Sequence, residues 1–188
     1  MKSVLISIRP EWCSKIARGE KTIEVRKTAP KLEAPFKCYI YCTKSKKSGR
    51  IDELDQVLGG GMVIGEFVCN EIFPISVSYS DPNHRLALRE FPFTCLTDKE
   101  IMDYLGNGKE GYGWHISNSK IYDKPKPLRS FHKPCPYKLP DGSRMDVPCP
   151  CDKYTHEFDE ESGLICCTRR MKIPPQSWCY VEELKDEK

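Results

Sequence analysis

Short runs of alternating apolar and polar residues, broken by Pro, Gly and charge, set the pattern of this chain. VLISIR (4–9) is rich in β-branched residues and predicts a strand. Pro10 then suits the first turn of a helix, where its missing N–H costs nothing. Trp12, Ile16 and Ala17 fall near helical spacing, and Gly19 is a natural stop. TIEVRK (22–27) returns to strict alternation, with Ile23 and Val25 on one side and Thr22, Glu24 and Arg26 on the other.

Further strands are predicted over 36–44, over 62–75 with Gly65 as a bend or bulge, over 111–123 and over 176–184. The connection KSKKSGRIDELDQVLGGG, ending in three glycines, is expected to be mobile. LTDKEIMDYLG (96–106) predicts a second helix, with Thr97 as N-cap, Glu100 completing a capping box and Gly106 as stop. Short strands with two main helices point to an α+β fold built on a β-barrel.

At 188 residues the chain suits one ordinary domain with an appendage. No apolar run approaches the roughly 20 residues that span a bilayer. The stretch from Val4 to Ile8 is too short for a secretory signal, so no membrane partner is expected. The eleven cysteines are odd in number, and several sit inside strand-like runs (Cys38, Cys42, Cys69). That usage fits buried free thiols and a reducing cytoplasm better than a secreted disulfide scaffold.

The formal net charge is +3, but its distribution is uneven. Arg9 to Arg50 holds twelve Lys/Arg against four Glu, a local balance of +8. A concentrated basic segment is the footprint of a phosphate-backbone binder, and also of an ordinary solvated face.

Residues 124–175 differ from the rest, with Pro, Cys and charge in place of apolar periodicity. They form a Cys/Pro-rich insertion before the last strand, with a small hairpin around Ser162–Gly163, and 185–188 is a charged tail. His132, Cys135, Cys149, Cys151, His156, Cys166 and Cys167 offer more than four thiolate or imidazole ligands. Their spacing does not follow paired C-x₂-C knuckles, so zinc (with Cys135, Cys149, Cys151, Cys166 and Cys167 as ligands), reduced cysteines and disulfides all stay open.

IRPEWCSKIARGEKTIEVRK (8–27), with its strand, its Pro/Trp helix and its Gly-x-Lys-Thr-x-Glu-x-Arg run, resembles the ASCH family of the PUA-like superfamily. LTDKEIMDYLG and YGWHIS (112–117) resemble the later helix and strand of phage- and bacteria-associated members. The resemblance covers about residues 1–123 and 176–184. It implies a PUA-like barrel with a cleft for RNA or a modified nucleotide. Some members are ribonucleases, and a compact bacterial group are amidohydrolases of acetylated cytidine. The latter resemble Lys-Thr-x-Thr-x-Arg, with the second Thr and a helical Glu joining the Lys in catalysis. Here Glu24 stands at that Thr, and Glu100 is a loose counterpart of the helical Glu.

The candidate catalytic residues are Lys21, Thr22 and Glu24, with His115 and Glu100 weaker. Lys21 can meet a phosphate or carbonyl oxygen as a point charge, although a lysine ending a helix is usually a surface residue. Arg26 can grip a phosphate in bidentate fashion, and Glu24 can act as a general base or accept from a base edge. The plainer alternative is a Glu–Arg pair on a solvated face. His115, on the side opposite Tyr112, Trp114 and Ile116, can face the cleft as an acid–base group. Candidate nucleic-acid contacts are Lys21, Arg26, Lys27, Arg9, Trp12 and Lys44. GNGKEG (106–111) follows a helix and enters a strand, the reverse of the dinucleotide fingerprint.

Three functions follow as expectations. The first is an RNA or modified-nucleotide binding module that needs no cofactor. The second is a metal-independent ribonuclease or an amidohydrolase. The third is a phage or host interaction protein acting through the cysteine-rich insertion.

Overall fold

The computed structural model describes residues 2–44, 60–76, 91–107, 109–134, 156–159, 163–166 and 170–184. Its strands are β1 (Lys2–Ile8), β2 (Ile23–Arg26), β3 (Phe36–Cys42), β4 (Val63–Ser76), β5 (Glu110–Lys126), β6 (His156–Asp159), β7 (Gly163–Cys166) and β8 (Trp178–Glu182). The helices are α1 (Pro10–Ala17), the short α2 (Phe91–Thr94) and α3 (Asp98–Leu105), with a 3₁₀ turn at Leu128–Ser130. The chain is thus α+β with two main helices. Residues 45–59 of the polar connection and the tail 185–188 lie outside the described residues.

Six strands form one mixed sheet in the order β2-β5-β4-β3-β1-β8, and β6 and β7 pair separately as a hairpin around the expected turn. β1 and β3 run parallel because α1 and β2 intervene and carry the chain back; the other ladders are antiparallel.

The sheet is strongly curled. Trp114 on β5 and Trp178 on β8 have ring centroids 5.8 Å apart, although three strands separate β5 from β8 in the ladder order. Trp178 Nε1 also donates to Thr28 Oγ1 at 3.1 Å, and the Lys31 N–H donates to the Tyr180 hydroxyl at 2.7 Å. Among the described residues no backbone ladder joins β8 to β2, so side chains bridge that gap. Bulges supply curvature. Register shifts opposite Ile40/Tyr41 and between Val63 and Gly65 place one beside the glycine that marked it in the sequence.

Three apolar clusters hold the fold. The largest fills the inside of the curl, with Val4, Ile6, Phe36, Ile40, Phe67 and Trp114 among its members. A second joins Ile23, Val25 and Ile75 to Ile101, Met102 and Leu105 of α3. The third packs Leu5, Tyr39 and Val181 against Phe131 and Met171. Those last two residues come from the stretch that lacked apolar periodicity, so some of its scattered apolar residues are anchored in the core.

Candidate functional site

The site begins where α1 ends. Gly19 takes φ +72°, and the N–H groups of Glu20 and Lys21 both donate to the Lys15 carbonyl, at 2.9 and 3.2 Å. This reversal turns the chain into β2 and drives Lys21 inward. Lys21 is only 2% exposed. Its ammonium donates to the carbonyls of Ile23 at 2.8 Å and Thr94 at 2.5 Å, and lies 3.3 Å from Glu24 Oε2. Two of the ammonium's three donors thus go to backbone carbonyls, and its charge is paired with Glu24. The Trp12 ring lies 5.4 Å away and adds a cation–π contact.

Glu24 and Arg26 follow on the same side of β2. Arg26 Nη2 lies 2.9 Å from Glu24 Oε1 and donates to the Ser7 carbonyl at 2.6 Å. Glu24 is 6% and Arg26 7% exposed. Lys21, Glu24 and Arg26 are therefore a buried cation–anion–cation chain inside the curl, and the solvated Glu–Arg face expected as the plain alternative is absent. Burial raises the stakes, because removing one partner leaves another charge desolvated and uncompensated.

Ladder register fixes what surrounds the triad. Glu24 lies opposite Trp114, and Arg26 opposite Tyr112, and cross-strand partners share a face. The half-buried Trp12, Tyr112 and Trp178 pack against the same cluster. Three buried polar atoms here have no hydrogen-bond partner: Glu24 Oε2, Arg26 Nε and Trp114 Nε1. Glu24 Oε2 meets Lys21 only as an ion pair, without hydrogen-bond alignment.

His115 lies opposite Ile23, on the face turned away from the triad. The alternation that separated it from Trp114 is observed, but the wall that carries Glu24 and Arg26 is the Trp114 side. Glu100 is exposed on α3, where its carboxylate accepts from the Thr97 N–H at 2.8 Å while the Glu100 N–H donates to Thr97 Oγ1 at 3.3 Å. The Thr97 N–H and the Thr97 hydroxyl, both donating to the carboxylate, hold its carboxyl below the ordinary value. It caps a helix away from the buried charges. Thr22 is half-buried; its N–H donates to the Phe93 carbonyl at 3.0 Å and its carbonyl accepts from Ile116 at 2.7 Å.

The basic segment is largely neutralised where it is described. Arg9 pairs with Glu11, Lys15 and Arg18 with Glu20, Lys21 and Arg26 with Glu24, and Lys37 with Glu66 and Glu183. Lys27, Lys31 and Lys44 are exposed, with Lys27 over the Tyr104 ring at 5.2 Å. Over residues 9–44 the basic segment expected as a phosphate-binding footprint is thus mostly paired with carboxylates.

Of the candidate metal ligands, Cys135, Cys149, Cys151 and Cys167 lie outside the described residues. Cys166 is on β7, in register with His156. Among the described residues searched, no group of three or more His, Cys, Asp or Glu is placed to hold a metal ion.

Sequence reasoning missed the partners that bury the triad. The Thr94 and Ser7 carbonyls carry no side-chain signature, and Trp178 was legible only as a strand residue.

The crystal structure of ASCH from Zymomonas mobilis superposes with a TM-score of 0.51 at 21% identity, covering 67% of this chain and 73% of that one. A serine-to-alanine variant of that protein gives 0.51 and 21%, covering 67% and 74%. The chain has an ASCH fold. No protein-family model and no curated protein sequence matches it. The ASCH likeness therefore concerns architecture over two-thirds of the chain, and the triad on β2 is read from this chain's own geometry. No helix among the described residues is long and apolar enough to cross a membrane.

Proposed function

We propose that this protein binds RNA or a modified nucleotide, reading a base at the buried, aromatic-lined face of Glu24, Arg26 and Trp114. The observation that carries this reading is the set of three buried polar atoms on one face that make no hydrogen bond, Glu24 Oε2 being held only by its ion pair with Lys21. A buried polar atom left without a partner costs about 1–3 kcal/mol. Two N–H donors and one carboxylate acceptor match a nucleobase edge, with its carbonyl acceptors and amino donor. Trp12, Tyr112 and Trp178 offer π-faces, and base stacking contributes about 1–3 kcal/mol per base. Admitting the base requires one of these half-buried rings to move.

In this reading the curled sheet is a PUA-like barrel closed by side chains, which holds Glu24, Arg26 and Trp114 in place. Binding is favoured over catalysis because the Lys21 ammonium is buried, gives two of its donors to backbone carbonyls and is charge-paired with Glu24. His115, the neutral-pH acid–base candidate, faces away from Glu24.

The test is titration of labelled single-stranded RNA at several salt concentrations, with parallel incubation of labelled RNA and of acetylated cytidine. The expected result is RNA binding that weakens as salt rises, without turnover of either compound. Glu24→Gln and Trp12→Ala should weaken binding while leaving its salt slope unchanged, because neither contacts phosphate. Full wild-type affinity in both variants, or turnover abolished by Lys21→Met in a folded protein, would overturn the reading.

A further inference from the structure

The buried face of Glu24, Arg26 and Trp114 adjoins the seam between β8 and the end of β2, where the described residues form no backbone ladder. Trp178 Nε1 crosses that seam to Thr28 Oγ1 at 3.1 Å, and the Lys31 N–H crosses it to the Tyr180 hydroxyl at 2.7 Å. Thr28 and Lys31 are exposed, whereas Trp178 and Tyr180 are half-buried. Water therefore competes for the Trp178–Thr28 bond, and its net worth is small.

What lies behind Trp178 gives that bond its interest. Trp178 stands opposite Ile6 on β1, so its ring turns to the inside of the curl. There it meets Trp114, with ring centroids 5.8 Å apart. Trp114 is fully buried, its Nε1 makes no hydrogen bond, and its ladder partner is Glu24. The Trp178 indole thus touches an exposed threonine on one side and the buried polar face on the other.

The backbone on both sides of the seam is pinned, which leaves the side chain as the part that can move. Ahead of Trp178, the Ser7 N–H donates to the Ser177 carbonyl at 2.9 Å and the Ser7 hydroxyl to the Pro175 carbonyl at 2.6 Å. Across the seam, Pro30 is buried and Leu32 packs against the largest cluster. The other rings of this face are held by more. Trp12 lies over the buried Lys21 ammonium, and Tyr112 sits mid-sheet, laddered to Arg26 on one side and Pro74 on the other. Rotation of Trp178 breaks no ladder.

We infer that the Trp178 indole is the gate through which a base reaches Glu24, Arg26 and Trp114, with Thr28 as its latch. The inference rests on the RNA reading above and gives it an entrance. An incoming base breaks the Trp178–Thr28 bond, and the displaced indole stays at the seam as a stacking surface.

The experiment removes the latch from either end, with Thr28→Val and Trp178→Phe, and takes Trp12→Phe as control. Hydrogen exchange of the Trp114 indole N–H is followed by NMR without RNA, and the association rate of a short single-stranded RNA is measured at fixed salt. Exchange of a buried N–H reports local opening. Loss of one net hydrogen bond should speed both exchange and association about fivefold. Trp12→Phe should exchange at the wild-type rate. Thr28 is exposed, so Thr28→Val keeps the test decisive if thermal melts show Trp178→Phe to be unfolded. Unchanged exchange in Thr28→Val overturns the gate whatever RNA does. Faster exchange with unchanged RNA association overturns the seam as the base's route. Equal acceleration in Trp12→Phe overturns the choice of Trp178. Faster exchange in the latch variants of a protein that binds no RNA supports the moving ring and overturns the RNA reading.

Discussion

Arg26 donates to the Ser7 carbonyl at 2.6 Å and so ties β2 to β1, two strands separated by three others in the ladder order. One guanidinium thereby belongs at once to the curled sheet's closure and to the buried charge chain. Stability and candidate function are consequently coupled at this position, and variants there need stability controls.

The central member of the triad should be the costly one to lose. Glu24→Ala leaves Lys21 and Arg26 buried without their shared carboxylate, and about 3–5 kcal/mol of stability should go with it. Replacing all three residues together by Met or Leu removes the desolvated charges as well. The triple variant should be more stable than Glu24→Ala, as measured by urea unfolding.

Thr97→Ala should destabilise the protein by about 1 kcal/mol, the usual worth of an N-cap. Glu100→Gln should leave RNA affinity unchanged, because Glu100 serves the helix end. Its carboxyl is held below the ordinary 4.5, chiefly by the Thr97 N–H. A depressed folded-state value stabilises above the unfolded value and is lost as pH falls through the folded one. The stability difference between wild type and Glu100→Gln should therefore shrink below about pH 4.5, which paired denaturation curves would show.

Buried thiols should be inert in the native protein. Burial pushes Cys69 up to about 11 and Cys38 well above 9.0. Cys13 is raised by its contact with the Cys42 thiol and by burial. All three are protonated at neutral pH, and the thiolate is the reactive form. Alkylation followed by mass spectrometry should label Cys13, Cys38 and Cys69 only in denaturant, with the half-buried Cys95 modified earlier.

Gly65→Ala should cost about 1–3 kcal/mol. A β-carbon at that position would stand 3.0 Å from Ile121 Cα on the neighbouring strand. Backbone cannot yield as a side chain can, so the β4–β5 ladder must shift. A lowered melting temperature with an otherwise native circular dichroism spectrum is expected.

Local elements were legible because their causes are local. Pro10 and Gly19 bracket α1, Thr97 and Glu100 cap α3, and alternation in TIEVRK separates Ile23 and Val25 from Glu24 and Arg26. The burial of that polar face was not legible. Alternation reports which residues share a side, and a polar side normally faces water. Here the sheet curls until the polar side meets its own far strands.

The sequence by itself determined the strands, the two main helices, their caps and the sidedness of β2, since each depends on residues a few positions apart. Tertiary structure decided that Lys21, Glu24 and Arg26 lie inside and that His115 lies across the sheet from them. The reason is chain separation. Ser7 and Arg26, Lys21 and Thr94, and Thr28 and Trp178 meet only after the sheet has curled, and two of these three contacts use backbone carbonyls, which every residue possesses and no sequence pattern marks.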